Sequence, residues 1–162
     1  MSQGRTILAI LKKRVNALQA LKDSLTQQQT ALLENRPDLL DGINAQQVEL
    51  MEIIQELELE WAQLKKQLHT TQHLPSVDPD YAFLQYLSDE ELLTFEQLKT
   101  ELLTLGEEIQ RLKENNQALI ENSLGFVRAV LRTLETGLDK EAVYRPGKKR
   151  PRQRHIVVDR TL

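Results

Sequence analysis

The sequence predicts an all-α protein: a long antiparallel helical hairpin or coiled-coil bundle of about three helices, followed by a flexible basic C-terminal tail. Three observations carry that expectation. Leu, Ile and Val recur three and four residues apart over long stretches, the period of one helical face. Aromatic residues make up only 4% of the chain and Gly and Pro together number 11, a composition that suits helices better than sheets. Two Pro- and Asp-containing breaks, "ENRPD" and "HLPSVDPD", separate the periodic runs from one another.

The first run places Leu8, Leu11, Val15, Leu18, Leu25 and Leu32 on one seam, with Lys22 and Gln29 in the gaps, and predicts a helix over about 5–34. Pro37 disfavours a helical residue just ahead of it and suits the first turn of the next helix, where its missing N–H is not needed. That second helix, about 37–68, carries Ile43, Gln47, Leu50, Ile54, Leu57, Trp61, Leu64 and Leu68. After a segment rich in turn residues and aromatics, Ser88 and Glu91 form a capping box that launches the third helix, about 88–136. Its seam runs through Phe95, Leu98, Leu102, Leu105, Ile109, Leu112, Asn116, Leu119, Ser123, Phe126 and Val130, and Gly137 reads as a stop. The bundle is thus expected over 1–138 and the tail over 139–162. Long helices joined by a short turn pack antiparallel.

Trp61 on the second seam reads as core packing. The patch of Tyr81, Phe83, Leu84 and Tyr86 reads as a plug over the bundle end, with a docking surface as the alternative. Asn116 and Ser123 stand where Leu would give more stability. A polar seam residue fixes register at a cost in stability. An exposed seam end is the other ordinary reading, and a seam turned toward a partner and not the hairpin is the competing one.

Chemistry is sparse. The chain has no Cys, which excludes disulfides, thiol catalysis and zinc ribbons. His69 and His73 have a zinc-compatible i, i+4 spacing, but no third ligand accompanies them, so solvated histidines are expected and no metal or cofactor. "DPDYAFLQYLSD" fails as a calcium loop because Ala82 and Phe83 occupy ligand and turn-glycine positions. Neither a nucleophile elbow nor a phosphate loop occurs, so an enzyme is not expected. No apolar run reaches the roughly 18 residues of a membrane span, and the start of the chain lacks a signal layout. A cytoplasmic protein without stable membrane insertion is the expectation.

Charge is unevenly placed. Residues 145–162 hold seven Lys and Arg against one Asp, net +6, which leaves −9 on the other 144 residues. Four readings of the tail compete: nucleic-acid contact, a polybasic membrane tether, a docking peptide, and a solvated segment. Nucleic acid is disfavoured, since no stacking aromatics interleave the cations and the acidic body repels phosphate.

The run "NNQALIENSLGFVRAVLRTL" resembles the late-helix signature of the FlgN family of flagellar export chaperones, through Asn115, Asn116, Leu119, Ile120, Ser123 and Leu124. The passage "LLENRPDLLDGINAQQVELMEIIQELELEW" is similar to the family's first-to-second-helix region. The tail "VYRPGKKRPRQRHIVVDRTL", with its Tyr and Gly, resembles the family's end, although it is more basic. Together these cover roughly residues 5 to 162.

The resemblance implies a type III secretion chaperone that binds C-terminal helical segments of hook-filament junction (hook-associated) proteins. It keeps them soluble and delivers them to the export gate. A substrate-binding late helix is implied, with Leu112, Asn116, Leu119, Ile120, Ser123, Leu124, Val127, Val130, Leu131 and Leu134 as client-binding residues. Tyr144 and Gly147 are the implied gate-docking residues. The pairs Leu119/Ile120, Phe126/Val127 and Val130/Leu131 independently widen the apolar surface beyond one seam, as a second contact requires. A homodimer in the absence of client is compatible with this reading. The alternative from another class is a self-associating coiled-coil scaffold or adaptor, with every seam consumed by homo-oligomerisation.

Overall fold

A computed structural model describes residues 2–72 and 82–143. The described chain is all-α: α1 spans Gln3–Leu33, α2 spans Pro37–Gln72, a short 3-10 helix covers Ala82–Tyr86, and α3 spans Asp89–Val143. It divides into two compact units, Met1–Asn116 and Gln117–Leu162, and α3 contributes to both.

Four helix ends in the first unit have a local cause. Ser2 caps α1 by accepting a hydrogen bond from the Arg5 amide at 3.3 Å. At the other end, Asn35 takes the left-handed conformation (φ 53°) that terminates the helix. Its amide donates to the Leu32 carbonyl at 3.3 Å and the Arg36 amide donates to Ala31 at 2.8 Å. These two bonds make a Schellman motif, with Asn in the place usually held by Gly. Pro37 then opens α2, and the Arg36 guanidinium grips Asp38 through bonds of 3.1 and 3.0 Å. This hydrogen-bonded contact holds the Asp38 carboxyl below its usual range and raises Arg36 above its own. At α3 the capping box is formed: the Ser88 amide donates to Glu91 at 2.9 Å, and the Glu91 amide to the Ser88 hydroxyl at 3.2 Å.

Pairing between helices sets the register of the first unit. Arg14 bonds Glu58, and Gln28 donates to Asn44 at 3.1 Å. As the index rises on α1 it falls equally on α2, so this hairpin is antiparallel. Along α3 the partners of α1 rise together instead. Lys22 pairs with Glu108, and the Leu25 carbonyl accepts from Asn116. α3 therefore runs parallel to α1. Gly4 belongs to this contact, because a Cβ there would meet the Tyr86 carbonyl oxygen at 2.9 Å and the Glu91 carboxylate.

The core lies where α1, α2, the 3-10 helix and the start of α3 converge on Ile7, Leu11, Leu68, Phe83, Phe95 and Leu98. Trp61 packs edge-to-face on Phe83, and Phe83 on Phe95, with ring centroids 5.1 and 5.3 Å apart. Such pairs add on the order of 1 kcal/mol to the area they bury. Trp61 is core, as expected, and Phe83 is buried with it. Tyr86 donates from its hydroxyl to the Leu68 carbonyl at 3.4 Å. Tyr81 of the expected plug lies outside the described residues.

One expectation is widened by the structure and one is corrected. On α1 all eight expected seam positions are buried or half-buried, with Lys22 paired to Glu108, and Ala17, Leu21, Ser24 and Ala31 are buried beside them. α1 touches both other helices, so it buries a band wider than one heptad seam. Gly137 does not end α3, which continues to Val143. One Gly costs about 1 kcal/mol relative to Ala inside a helix. The helix formers around it (Leu134, Glu135, Lys140, Glu141, Ala142) carry the helix past that cost.

Candidate binding face of the third helix

The described residues of the second unit, 117–143, are all helical and belong to α3. At about 100° per residue, Leu119, Ile120, Ser123, Leu124, Phe126, Val127, Val130, Leu131 and Leu134 share one arc of roughly 160°. The opposite side holds Gln117, Glu121, Arg128, Arg132, Thr133, Glu135 and Thr136. Polar residues there bond along the helix itself: Gln117 donates to Glu121 at 3.3 Å and Thr133 to the Ala129 carbonyl at 3.0 Å. The apolar arc is thus segregated cleanly from the polar one.

This arc is open to solvent. Ile120, Leu124, Val127 and Val130 are exposed, Leu134 is 59% exposed and Phe126 is 70% exposed, while Leu119 and Leu131 are half-buried. Single exposed apolar residues are ordinary on a protein surface, whereas a continuous row of them marks a contact surface. The face carries no Asp, Glu, Lys, Arg or His. What it offers is desolvation, with Ser123 as the one side-chain hydrogen-bonding group on it.

The ten residues expected to bind a client divide between the units. Leu119, Ile120, Ser123, Leu124, Val127, Val130, Leu131 and Leu134 lie together on the arc just described. Leu112 and Asn116 lie in the first unit, Leu112 half-buried and Asn116 only 2% exposed. Asn116 donates through one amide nitrogen to the Leu25 carbonyl at 2.9 Å and to the Gln28 side chain at 3.0 Å. Its side chain is thereby engaged with α1, the geometry of a register device. The Asn116 side-chain oxygen and the Ser24 hydroxyl are buried without a partner. Ser123, the second polar seam position, is exposed.

Sequence reasoning left Phe126 off the binding set although it is the most exposed large apolar side chain among the described residues. Its place at the edge of the arc, adjoining Leu119 and Val130, was the available signal. Tyr144 and Gly147 lie outside the described residues. Among the described residues no cluster of His, Cys, Asp or Glu could hold a metal ion, and no helix is long and apolar enough to cross a membrane.

Against known families, the model described as FlgN protein matches residues 1–152, a span that includes all the described helices. No curated protein and no solved structure matches the chain.

Proposed function

The chain belongs to the FlgN family of flagellar type III export chaperones, and we propose that α3 beyond Asn116 is its client-binding element. The client supplies an amphipathic helix from the C-terminal segment of a hook-filament junction protein and lays it along the arc from Leu119 to Leu134. The exposed apolar arc is the observation that supports this reading. Covering its half-exposed Leu, Ile, Val and Phe side chains contributes on the order of 1 kcal/mol each. That offsets the ordering of a client segment that is disordered alone. The protein binds and releases in the cytoplasm without turnover. Its acidic first unit keeps the complex soluble. Delivery rests on the segment after Val143, where Tyr144 and Gly147 dock on the export gate, in keeping with the family resemblance of that tail.

The test pairs Leu119→Asp with Val130→Asp and follows mixtures with a client C-terminal segment by size-exclusion chromatography and light scattering. The unsubstituted chain gives a discrete soluble complex. The double variant gives none while keeping its far-UV circular dichroism. Collapse of helicity in the variant would make these residues ordinary core. A large self-associated particle indifferent to client would favour a homo-oligomeric scaffold.

A further inference from the structure

A second surface, wholly within the first unit, has a chemistry the client-binding face lacks. A pocket of about 350 Å³ opens where α1, α2, the 3-10 helix and α3 meet, and Trp61, Phe83 and Phe95 line it. Three cations from three separate helices also line it: Arg14 from α1, Lys65 from α2 and Lys99 from α3. The first two stand over the indole, with the Arg14 guanidinium 5.7 Å and the Lys65 ammonium 5.9 Å from the ring centroid. Both lie within reach of the ring quadrupole, and Arg14 is held in addition by its bond to Glu58.

The electrostatic setting makes the cluster notable. Residues 1–116 carry eleven Lys and Arg against nineteen Asp and Glu, net −8. Within that acidic unit, Arg14, Lys65 and Lys99 line one pocket. Carboxylates temper the pocket. Glu58 bonds Arg14, and Glu96 lines the opening on α3.

We propose that this pocket receives an acidic peptide segment of a partner protein, anchored by one aromatic or leucine side chain against Trp61, with flanking carboxylates meeting Lys65, Lys99 and Arg14. An apolar floor ringed by cations is complementary to an apolar anchor between acids. Because the cations come from three helices, they match carboxylates spaced along a chain better than a single anionic group. Glu96 sets the side where the segment turns a backbone N–H and not a carboxylate. The proposal is independent of the client-binding arc, since none of its residues lies beyond Leu103.

Trp61 is the chain's single tryptophan, so its emission reports on this pocket and the core packing beneath it. The full chain is titrated with the capped peptide acetyl-Glu-Asp-Phe-Asp-Glu-amide, with the counterpart in which Lys replaces every acid, and with octanoate. The acidic peptide is expected to change Trp61 emission saturably, and the lysine peptide is not. Lys65→Glu combined with Lys99→Glu should weaken binding roughly tenfold or more, with unchanged circular dichroism. If that double variant loses helicity, Lys99→Gln at its exposed position takes its place, with a smaller weakening in the same direction. No saturable change, equal response to the lysine peptide, indifference to the Lys variants, or saturation by octanoate alone would each overturn the proposal.

Discussion

The two parts of α3 on either side of Asn116 are written in the same pattern and used in opposite ways. From Phe95 to Leu105 the seam positions Phe95, Leu98, Leu102 and Leu105 are buried or half-buried in the first unit, and of the apolar residues only Leu103, off the seam, is exposed. From Ile120 to Leu134 residues of the same kind and spacing are mostly exposed. Hydrophobic periodicity therefore states that a face is to be covered and is silent on what covers it. In the first part the cover is intramolecular and the face contributes to stability. In the second the face is exposed, as the proposed client binding requires. Asn116, bonded to Leu25 and Gln28 of α1, is the last residue of the first kind.

The sharpest way to break this comparison is to truncate one large side chain in each part. Leu98→Ala should lower the unfolding free energy by about 2–5 kcal/mol, as buried leucines do. Phe126→Ala should lie within about 0.5 kcal/mol of the parent yet weaken client binding. Chemical denaturation of both variants checks this, and equal losses would show Phe126 to be core. Next in size is Asn116→Asp. The carboxylate would face the Leu25 carbonyl and the Gln28 side-chain oxygen, two acceptors, with burial to match. A loss on the order of 2 kcal/mol or more at neutral pH is expected. It should shrink on acidification, because protonation restores a donor. A pH-independent loss would argue against those hydrogen bonds.

The smallest effect concerns the turn between α1 and α2. The Asp38 carboxyl is held low chiefly by its bond to Arg36. Its contribution is present above the ordinary Asp range and is lost as pH falls through the lowered value. The pair is fully exposed, so the change should be slight. Arg36→Gln should leave stability at neutral pH nearly unaltered and raise the Asp38 pKa toward its ordinary value, which carboxyl NMR titration would detect.

Much of the architecture could be read from the sequence, for physical reasons that differ by element. All eight seam positions expected on α2, from Ile43 to Leu68, are buried or half-buried, because large aliphatic residues and Trp announce a face strongly. The capping box at Ser88 and Glu91 is local chemistry, complete within four residues. The buried band of α1 was harder to read, since Ala17, Ser24 and Ala31 carry little hydrophobic signal. They lie inside because small residues let neighbouring helices approach. Asn35 was also missed, as its left-handed backbone is a choice between rare conformers that composition does not announce. At the candidate site, the width of the late apolar face was legible. For Asn116 the register-device reading was available from its seam position, but its partners were not, because they lie 91 and 88 residues away along the chain.

Those separations have a kinetic consequence. The α1–α2 pairing closes across intervals as short as the 16 residues between Gln28 and Asn44, while the bond from Asn116 to Leu25 spans 91. Closing the larger interval from an open chain costs about 1.5 kcal/mol more, and once the hairpin exists much of that interval is already ordered. The hairpin is thus the natural first structure on the ribosome, complete in sequence before α3 has been synthesised. The nascent hairpin must meanwhile carry Ile7, Leu11, Trp61 and Leu68 without the cover of Phe95 and Leu98, a brief interval in which its own core face is the exposed surface at risk of aggregation.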